Sequence, residues 1–302
     1  MTDILNYLLC PTCGEGLGRV GKSLVCRKGH TFDLAKSGYV NLLPPGKGKN
    51  AHTGDDRGMV EARVNFLCRG FYNNISDKTA DLLAEYAVPK GNTVSICDMG
   101  SGEGWHSCRI AERTGALTGK DTVLLGFDAS KHAGDKASKL SRRMGLMPKD
   151  GIGAPHEGRC GAYFLPANIF HTPLKDSSVS AALSMFAPVA WDEAARILSD
   201  DGILIVVSSG RDHLIEMRRL IYSDVHLSDD TISPTEGFGE TAKHALRYTV
   251  TLPDKEAIAD LFMMTPFCYK TTESGKARLF AKDSLDITVE VTYTVYRKKQ
   301  IK

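Results

Sequence analysis

The sequence predicts an α/β fold, in which a mostly parallel sheet follows a small N-terminal module. Three observations predict it. Short apolar runs at 94–97 and 122–127 each end in an acidic residue and precede a helical pattern, as the buried strands of a parallel sheet do. Glycines cluster directly after the first of these runs. Two close pairs of Cys and His residues lie before residue 31, well apart from the apolar runs.

Length and composition exclude several classes of protein. The 302 residues suffice for one large domain with a small one attached. There is no apolar run of 18 residues, and the N-terminus lacks a signal-peptide pattern. We therefore expect no membrane contact, eight reduced cysteines and a cytoplasmic protein. The net charge of +2 is a weak argument for nucleic-acid binding, although residues 14–49 carry seven basic and two acidic side chains.

The N-terminal module, predicted to span residues 1–46, has the spacing of a metal site. Cys10 and Cys13 form one pair, and Cys26 and His30 follow after twelve residues. Three thiolates and an imidazole fill a tetrahedral Zn²⁺ site without an open position, so a structural zinc is predicted. In so short a segment the metal should supply the folding free energy. Leu17 and residues 24–25 predict a hairpin between the pairs. The alternative is four scattered Cys and His residues.

The next stretch predicts a boundary and an entry segment, residues 47–93. Residues 44–50 are rich in Pro, Gly and Lys and indicate a flexible linker. Apolar residues at helical spacing predict helices over 59–71 and about 76–86, with Ser76 as the N-cap of the second. The remaining residues, 94–302, are predicted to form the main domain.

The glycine cluster has the pattern Asp-x-Gly-x-Gly-x-Gly, formed by Asp98, Gly100, Gly102 and Gly104. It differs from the dinucleotide pattern, and a carboxylate there would repel a pyrophosphate but suits an ammonium group. The pattern resembles the first motif of Rossmann-like class I methyltransferases that use S-adenosylmethionine (SAM). That resemblance implies SAM as cofactor and a site that includes the neighbouring Glu103, Trp105 and His106. A glycine-rich turn without a ligand is the alternative.

Two polar residues follow the next strands. Asp128 ends the strand at 122–128, where an acid can accept hydrogen bonds from both ribose hydroxyls. It can also act as the N-cap of the helix predicted over 130–140, and both roles stay open. Asn168 follows a third strand at 162–165, where SAM domains often contact the adenine. A solvated loop residue is the alternative for Asn168.

A narrower resemblance begins directly after the Cys/His pairs. Residues 30–44 read His-x-Phe-Asp-x-Ala-Lys-x-Gly-Tyr-Val-Asn-Leu-Leu-Pro. Together with the SAM domain, they resemble the RlmA family of 23S rRNA guanine-N1 methyltransferases. The resemblance continues at residues 54–55, 62–63, 66–67, 70, 72, 126–131, 186–188, 211–214, 220–226 and 264–267. It implies that Tyr72 and His213 contact SAM, that large-subunit rRNA is the partner, and that the protein forms a homodimer.

The acceptor base is expected at Phe186, Ala187 and Pro188, which follow the fourth strand at 180–185. Ligands of open α/β sheets lie outside the carboxyl ends of the strands. Phe186 is predicted either to stack on an extruded base or to pack in the core. The family more often has Tyr at this position, so no role that needs a hydroxyl is expected here. The proton acceptor stays unassigned, with the Ala187 carbonyl or a water as options.

The rest of the chain completes the predicted fold. A helix over 191–198, strands at 203–207, 248–252 and 285–291, and a helix near 255–264 are predicted from their periodicity. The glycine-rich, basic stretch 142–161 lacks such a period and is predicted to be a mobile surface loop.

These patterns predict a SAM-dependent methyltransferase acting on N1 of a guanine in 23S rRNA, whose zinc-binding module helps to recognise RNA. One alternative is a SAM enzyme for a small molecule or a protein, with the module as a lid. Another is an RNA-binding protein that has lost SAM, against which the intact glycine motif and Asp128 argue.

Overall fold

The computed structural model of the protein describes residues 3–43, 55–154, 156–225 and 234–299. The predicted linker at 44–50 lies outside these ranges, so the domain limits remain predictions. Within them, no helix has both the length and the apolar character needed to cross a membrane.

The N-terminal module contains a small antiparallel sheet of three strands. Its strands are β1 (Leu17–Val20), β2 (Ser23–Cys26) and β3 (Thr31–Asp33), in the order β1-β2-β3. The predicted hairpin is confirmed, since Leu17 pairs with Cys26 and Val20 with Ser23. The hairpin thus holds Cys26, one of the predicted metal ligands, at the end of β2.

A seven-stranded sheet forms the centre of the main domain. Its strands are β4 (Thr93–Met99), β5 (Asp121–Asp128), β6 (Cys160–Pro166), β7 (Val179–Met185), β8 (Leu198–Ser209), β9 (Phe238–Leu252) and β10 (Leu285–Lys298). Their order is β6-β5-β4-β7-β8-β10-β9. The first five are parallel, and β10 runs antiparallel to both neighbours. The predicted Rossmann-like fold is therefore confirmed, with its strand order reversing beside β4, where such folds bind ligands.

Helices surround this sheet. They are α1 (Arg57–Cys68), α2 (Asn73–Tyr86), α3 (Trp105–Thr118), α4 (Lys131–Arg143), α5 (Trp191–Ile197), α6 (Ile215–Ile221), α7 (Lys255–Met263), α8 (Phe267–Lys270) and α9 (Glu273–Phe280). Alternate side chains of β4 enter two cores, as a period of two requires. Val94 and Ile96 belong to one core with most of the helices, whereas Cys97 and Met99 belong to the other with α5 and the N-terminal module.

The prediction of Ser76 as an N-cap is wrong. Helix α2 begins at Asn73, and Ser76 lies fully buried in its first turn. The hydroxyl of Ser76 lies 2.7 Å from Nδ1 of His106 in α3. The tertiary partner therefore uses the hydroxyl that the sequence assigned to capping.

The prediction of a mobile loop at 142–161 is also wrong for the part that follows α4. Leu146, Met147 and Ile152 are buried. Arg19 of the N-terminal module donates hydrogen bonds to the carbonyl oxygens of Asp150 and Ile152, each at 2.9 Å. Arg19, a basic residue expected from the sequence to lie on a solvated surface, thus joins the module to the main domain.

Close backbone contact at Gly151 makes this joint sensitive to substitution. Gly151 has φ +83°, and a Cβ there would lie 2.7 Å from Cα of Gly38 in the N-terminal module. Gly145 has a similar φ of +73°, but no described atom lies within 4 Å of a Cβ built there. A substitution at either glycine therefore has the cost of a left-handed backbone, and only a substitution at Gly151 adds a clash with Gly38.

We expect Gly151→Ala to lower the free energy of unfolding by about 1–3 kcal/mol more than Gly145→Ala does, because only the first forces the two backbones apart. Urea denaturation of the zinc-loaded variants measures the difference. Equal losses in the two variants would contradict the close contact.

Candidate functional site

A cleft of about 830 Å³ opens at the carboxyl ends of β4 to β8. Helix α1 and the turn at 264–267 form its other side. Twelve of the residues predicted from the sequence line it: Tyr72, Asp98, Gly100, Gly102, Glu103, His106, Asp128, Asn168, Phe186, Ala187, Pro188 and His213. The fold thus brings together side chains that lie up to 141 residues apart in the chain, such as Tyr72 and His213.

Gly104 and Trp105 are not among the residues that line the cleft. A Cβ at Gly104, whose φ is +83°, would lie 2.7 Å from Cβ of Ala137. Gly104 therefore lets α3 approach α4. The indole Nε1–H of Trp105 donates to Oδ1 of Asn73 at 3.2 Å, and Asn73 does not line the cleft either. In this structure Gly104 and Trp105 therefore contribute to the packing around the glycine loop.

Asp98 holds a buried carboxylate at the end of β4, with 2% of its surface exposed. Its Oδ2 accepts a hydrogen bond of 2.6 Å from the hydroxyl of Ser107. Its Oδ1 is buried and has no hydrogen-bond partner in the described part of the chain. Burial raises the pKa of Asp98 to about 7, and the nearby carboxylates of Asp128 and Glu103 act in the same direction. Such an oxygen is suited to a cationic ligand.

Asp128 joins the glycine loop to the start of α4. Its Oδ2 accepts from the backbone N–H of Gly102 at 3.1 Å, and its Oδ1 accepts from the N–H of Ser130 at 2.8 Å. Ser130, rather than Asp128, is the N-cap of α4, since its hydroxyl accepts from the N–H of Ala133. Each carboxylate oxygen keeps capacity for a further donor, so two neighbouring ligand hydroxyls fit here.

Asn168 lies exposed in the cleft wall after β6. Its side-chain oxygen accepts a hydrogen bond of 3.0 Å from the backbone N–H of Phe170. This turn fixes the side chain and leaves the NH₂ group as the part that a ligand would meet.

His213 and Tyr72 form a pair at the opposite end of the cleft. The backbone N–H of Glu290 donates to Nδ1 of His213 at 3.2 Å, so the neutral ring carries its proton on Nε2. Nε2 lies 3.5 Å from the hydroxyl oxygen of Tyr72. Burial lowers the pKa of His213 to about 4 and raises that of Tyr72. Both groups therefore remain neutral hydrogen-bond donors near pH 7.

Arg63 of α1 is a cleft residue that sequence reasoning did not select. It forms an ion pair with Asp55, lies 3.9 Å from the buried carboxylate of Glu103, and donates to the carbonyl oxygen of Met264 at 3.3 Å. It thus connects α1, the glycine loop and the turn at 264–267. The signal was present, because residues 62–63 and 264–267 are among the stretches that carry the family resemblance.

His106 is held neutral beside this network. Burial is the main cause that lowers its pKa to about 4, and the charges of Arg63 and Arg109 add to it. Its Nδ1 is engaged with Ser76, as described above. The first turn of α3 therefore presents an uncharged ring to the cleft.

Phe186 has an unusual backbone at the exit of β7. Its φ is +52°, a left-handed conformation that bulky residues rarely adopt. The ring is 44% exposed and stacks on the ring of His213, with centroids 6.2 Å apart and planes 27° apart. The hydroxyl of Ser184 donates to the carbonyl oxygens of Ala187, at 3.0 Å, and Pro188, at 3.4 Å. Because Phe186 is 44% exposed, the alternative that it packs in the core is wrong. Its left-handed backbone leaves strain in this turn.

The four predicted metal ligands lie together in the N-terminal module. The ligand atoms of Cys10, Cys13, Cys26 and His30 all lie within 4.8 Å of one another. Sγ of Cys13 and Sγ of Cys26 are 3.7 Å apart, and Nδ1 of His30 lies 3.4 Å from Sγ of Cys26 and 3.6 Å from Sγ of Cys10. A tetrahedral zinc site has edges of about 3.8 Å between sulfurs and about 3.6 Å between sulfur and nitrogen. The residues therefore fit Zn²⁺.

The zinc site and the cleft are separate. None of residues 3–43 of the module lines the cleft. With four protein ligands, a bound zinc has no open coordination position and holds the module together.

Comparisons with known proteins agree with this architecture. Residues 8–50 match the sequence model of the RlmA N-terminal zinc ribbon. The chain is 30% identical to a 23S rRNA (guanine(748)-N1)-methyltransferase of Streptomyces fradiae, over 98% of both chains. It is 32% identical to YxjB of Bacillus subtilis strain 168, named as a candidate 23S rRNA (guanine-N1)-methyltransferase, over 96% of both chains.

Among solved structures, the YcgJ protein of Bacillus subtilis superposes with a TM-score of 0.42 at 14% identity, over 74% of this chain and 99% of its own. The fold assignment therefore rests on the strand order described above. Identity and coverage to the curated relatives, with the matching zinc ribbon, establish that the chain belongs to the 23S rRNA (guanine-N1)-methyltransferase family.

Proposed function

We propose that the protein is a SAM-dependent methyltransferase that methylates N1 of a guanine in 23S rRNA. The observation that carries the donor part is the buried Oδ1 of Asp98 in the cleft, which has no hydrogen-bond partner among the described residues. Family membership carries the choice of acceptor, because the relatives are named for this reaction.

The polar groups of the cleft follow the order of the groups in SAM. Across the sheet, Asn168 follows β6, Asp128 ends β5, and Asp98 lies in β4. His213 follows β8, on the far side of β7. We assign adenine to Asn168, the ribose hydroxyls to Asp128, the ammonium group to Asp98 and the carboxylate to the donors of His213 and Tyr72. When bound, SAM supplies a methyl group on a positively charged sulfur.

The acceptor base is assigned to the turn at 186–188. An exposed aromatic ring held in a strained backbone at the cleft is suited to stacking on a base that has left its helix. Phe186 lacks a hydroxyl, so this chain orients the base by stacking and by shape. Orientation of donor and acceptor can account for about 7–11 kcal/mol of barrier lowering.

The proton on N1 of guanine must leave during the reaction. His213 is not its acceptor, because Nδ1 already accepts from Glu290 and Nε2 carries a proton. The carbonyl of Ala187 accepts from Ser184, which directs it into the protein. We therefore favour a water at the exposed turn as the acceptor of this proton.

The N-terminal module is proposed to contact RNA rather than to close the cleft. A lid would contribute residues to the cleft, and residues 3–43 contribute none. Its basic side chains are suited to phosphate contacts, which provide affinity without sequence information. RNA binding by the module, a homodimer and a cytoplasmic location remain predictions that follow from the family resemblance.

The first test is methyl transfer from labelled SAM to unmodified large-subunit rRNA, with identification of the product nucleoside. We expect 1-methylguanosine with the wild-type protein and a loss of at least about a hundredfold in kcat/KM with Asp98→Ala, because an ionic contact to the donor is removed. SAM binding without label in RNA would support the alternative of a small-molecule or protein acceptor.

The second test is the pH dependence of SAM affinity. Asp98 must be ionised to hold an ammonium group, and its pKa in the free protein is about 7. Above that pKa the carboxylate is ionised, so affinity should stay constant until the amino group of SAM loses its own proton at higher pH. Below pH 7 binding must expel a proton, so the dissociation constant should rise about tenfold per pH unit. Isothermal titration measures it, and Asp98→Asn should bind weakly with no such slope.

The third test separates the strain at Phe186 from its function. Phe186→Gly removes the ring and also the cost of the left-handed backbone. The free energy of unfolding of this variant should therefore be no lower than that of the wild type, and up to about 1 kcal/mol higher. The KM for rRNA should rise roughly tenfold through lost stacking, while SAM affinity is retained. Phe186→Tyr is the control and should keep full activity. Unchanged kinetics with glycine would contradict a stacking role.

A further inference from the structure

The chain passes from β6 to β7 without a helix, and residues 166–176, from the last residue of β6 onward, form a wall segment in this connection. Asn168, Ile169 and Phe170 of this segment line the cleft. A connection of this kind has few hydrogen bonds of its own, so its conformation depends on what holds it. In this protein the N-terminal module contacts it at Pro166 and again at residues 173–175.

The far end of the wall segment pairs with the strip that leads into the first zinc ligand. The backbone N–H of Leu9 donates to the carbonyl oxygen of Pro173 at 2.8 Å. Leu8 and Leu174 form an antiparallel β-bridge, and both side chains are fully buried. Leu9 directly precedes Cys10 in the chain. The metal ligand and the wall segment are therefore joined through one short stretch of backbone.

Two further hydrogen bonds complete this connection. The N–H of Lys175 donates to the carbonyl oxygen of Tyr7 at 3.0 Å. At the near end of the segment, the N–H of Leu42 donates to the carbonyl oxygen of Pro166 at 2.8 Å. Asn168 lies two residues after this second attachment. The module thus contacts the segment on both sides of the cleft residues, and the sheet adds to the near contact, since the N–H of Ala167 donates to the carbonyl oxygen of Asp128 at 3.0 Å.

Helix α5 holds the middle of the wall segment independently of the module. The buried carboxylate of Glu193 accepts from the N–H and the hydroxyl of Thr172, at 2.6 and 2.5 Å. Arg196 donates to the carbonyl oxygen of Thr172 at 3.0 Å and to that of Leu174 at 2.7 Å. The wall segment should therefore loosen, rather than detach, when the module loses its order.

We propose that the N-terminal module is a positioning element of the donor cleft: zinc binding orders the module, the module fixes the wall segment, and Asn168 is thereby placed to contact the adenine of SAM. Zinc then raises the affinity for SAM in the absence of any RNA. This inference rests on the proposed function, since it takes SAM as the ligand of the cleft. It is distinct from a role of the module in RNA recognition.

Isothermal titration of SAM into the full-length protein, zinc-loaded or treated with a chelator and without RNA, tests this. We expect the dissociation constant to rise roughly fivefold to tenfold on zinc removal, about the effect of one lost hydrogen bond, and to recover when Zn²⁺ is returned. Asn168→Ala should bind SAM more weakly and respond less to zinc, because it lacks the group through which zinc acts.

Two variants with intact zinc ligands separate this effect from general unfolding. Leu9→Pro removes the N–H that donates to Pro173 and should weaken SAM binding while the zinc content stays at one per chain. Arg19→Ala removes the contacts to residues 150–152 but none to the wall segment, and should leave SAM affinity unchanged. Circular dichroism establishes that each protein retains its main sheet.

The outcomes are distinct. Equal SAM affinity with and without zinc, or in Leu9→Pro and the wild type, would overturn the inference and leave the proposed function intact. An equal loss in Arg19→Ala and Leu9→Pro would overturn it as well, because the effect would not depend on the wall segment. Absence of SAM binding in the zinc-loaded wild type would overturn the proposed function and this inference with it.

Discussion

The buried carboxylate of Asp98 is the constraint on which the rest of the site depends. Burial of a charged group costs several kcal/mol, and the pKa of about 7 reflects that cost, since no described residue donates to Oδ1. The surrounding structure sustains it: Ser107 donates to one oxygen, and the parallel strands on both sides of β4 hold the backbone. A cationic ligand offsets this cost when it binds beside the carboxylate, so the site favours positively charged ligand groups.

The glycine loop turns this single interaction into a shaped cleft. Gly100, with φ +103°, lies so close to the exit of β7 that a Cβ there would be 2.7 Å from Cβ of Ala187. The donor side and the acceptor side of the cleft are therefore in contact through backbone that only glycine can form. The reversal of strand order beside β4 provides the space above that contact, and α1 with Arg63 closes its outer side.

Much of this was predictable because it depends on local pattern. Spacing and periodicity predict the hairpin and the ligand pairs around Cys10 and Cys26. They also predict the acids at the ends of β4 and β5. The interactions that sequence reasoning missed depend on tertiary partners. The local sequence predicts Ser76 as an N-cap, but its hydroxyl contacts His106 in the folded protein. The stretch after α4 has the composition of a mobile loop, but Arg19 donates to one of its carbonyl oxygens.

The role of Asp98 is best measured by comparing the affinities of S-adenosylhomocysteine and of its analogue lacking the α-amino group, in wild-type protein and in Asp98→Asn. We predict that the wild type loses at least about tenfold in affinity when the amino group is absent, and that the variant discriminates little between the two ligands. The same penalty in both proteins would contradict it, because the amino group would then be bound by something other than Asp98.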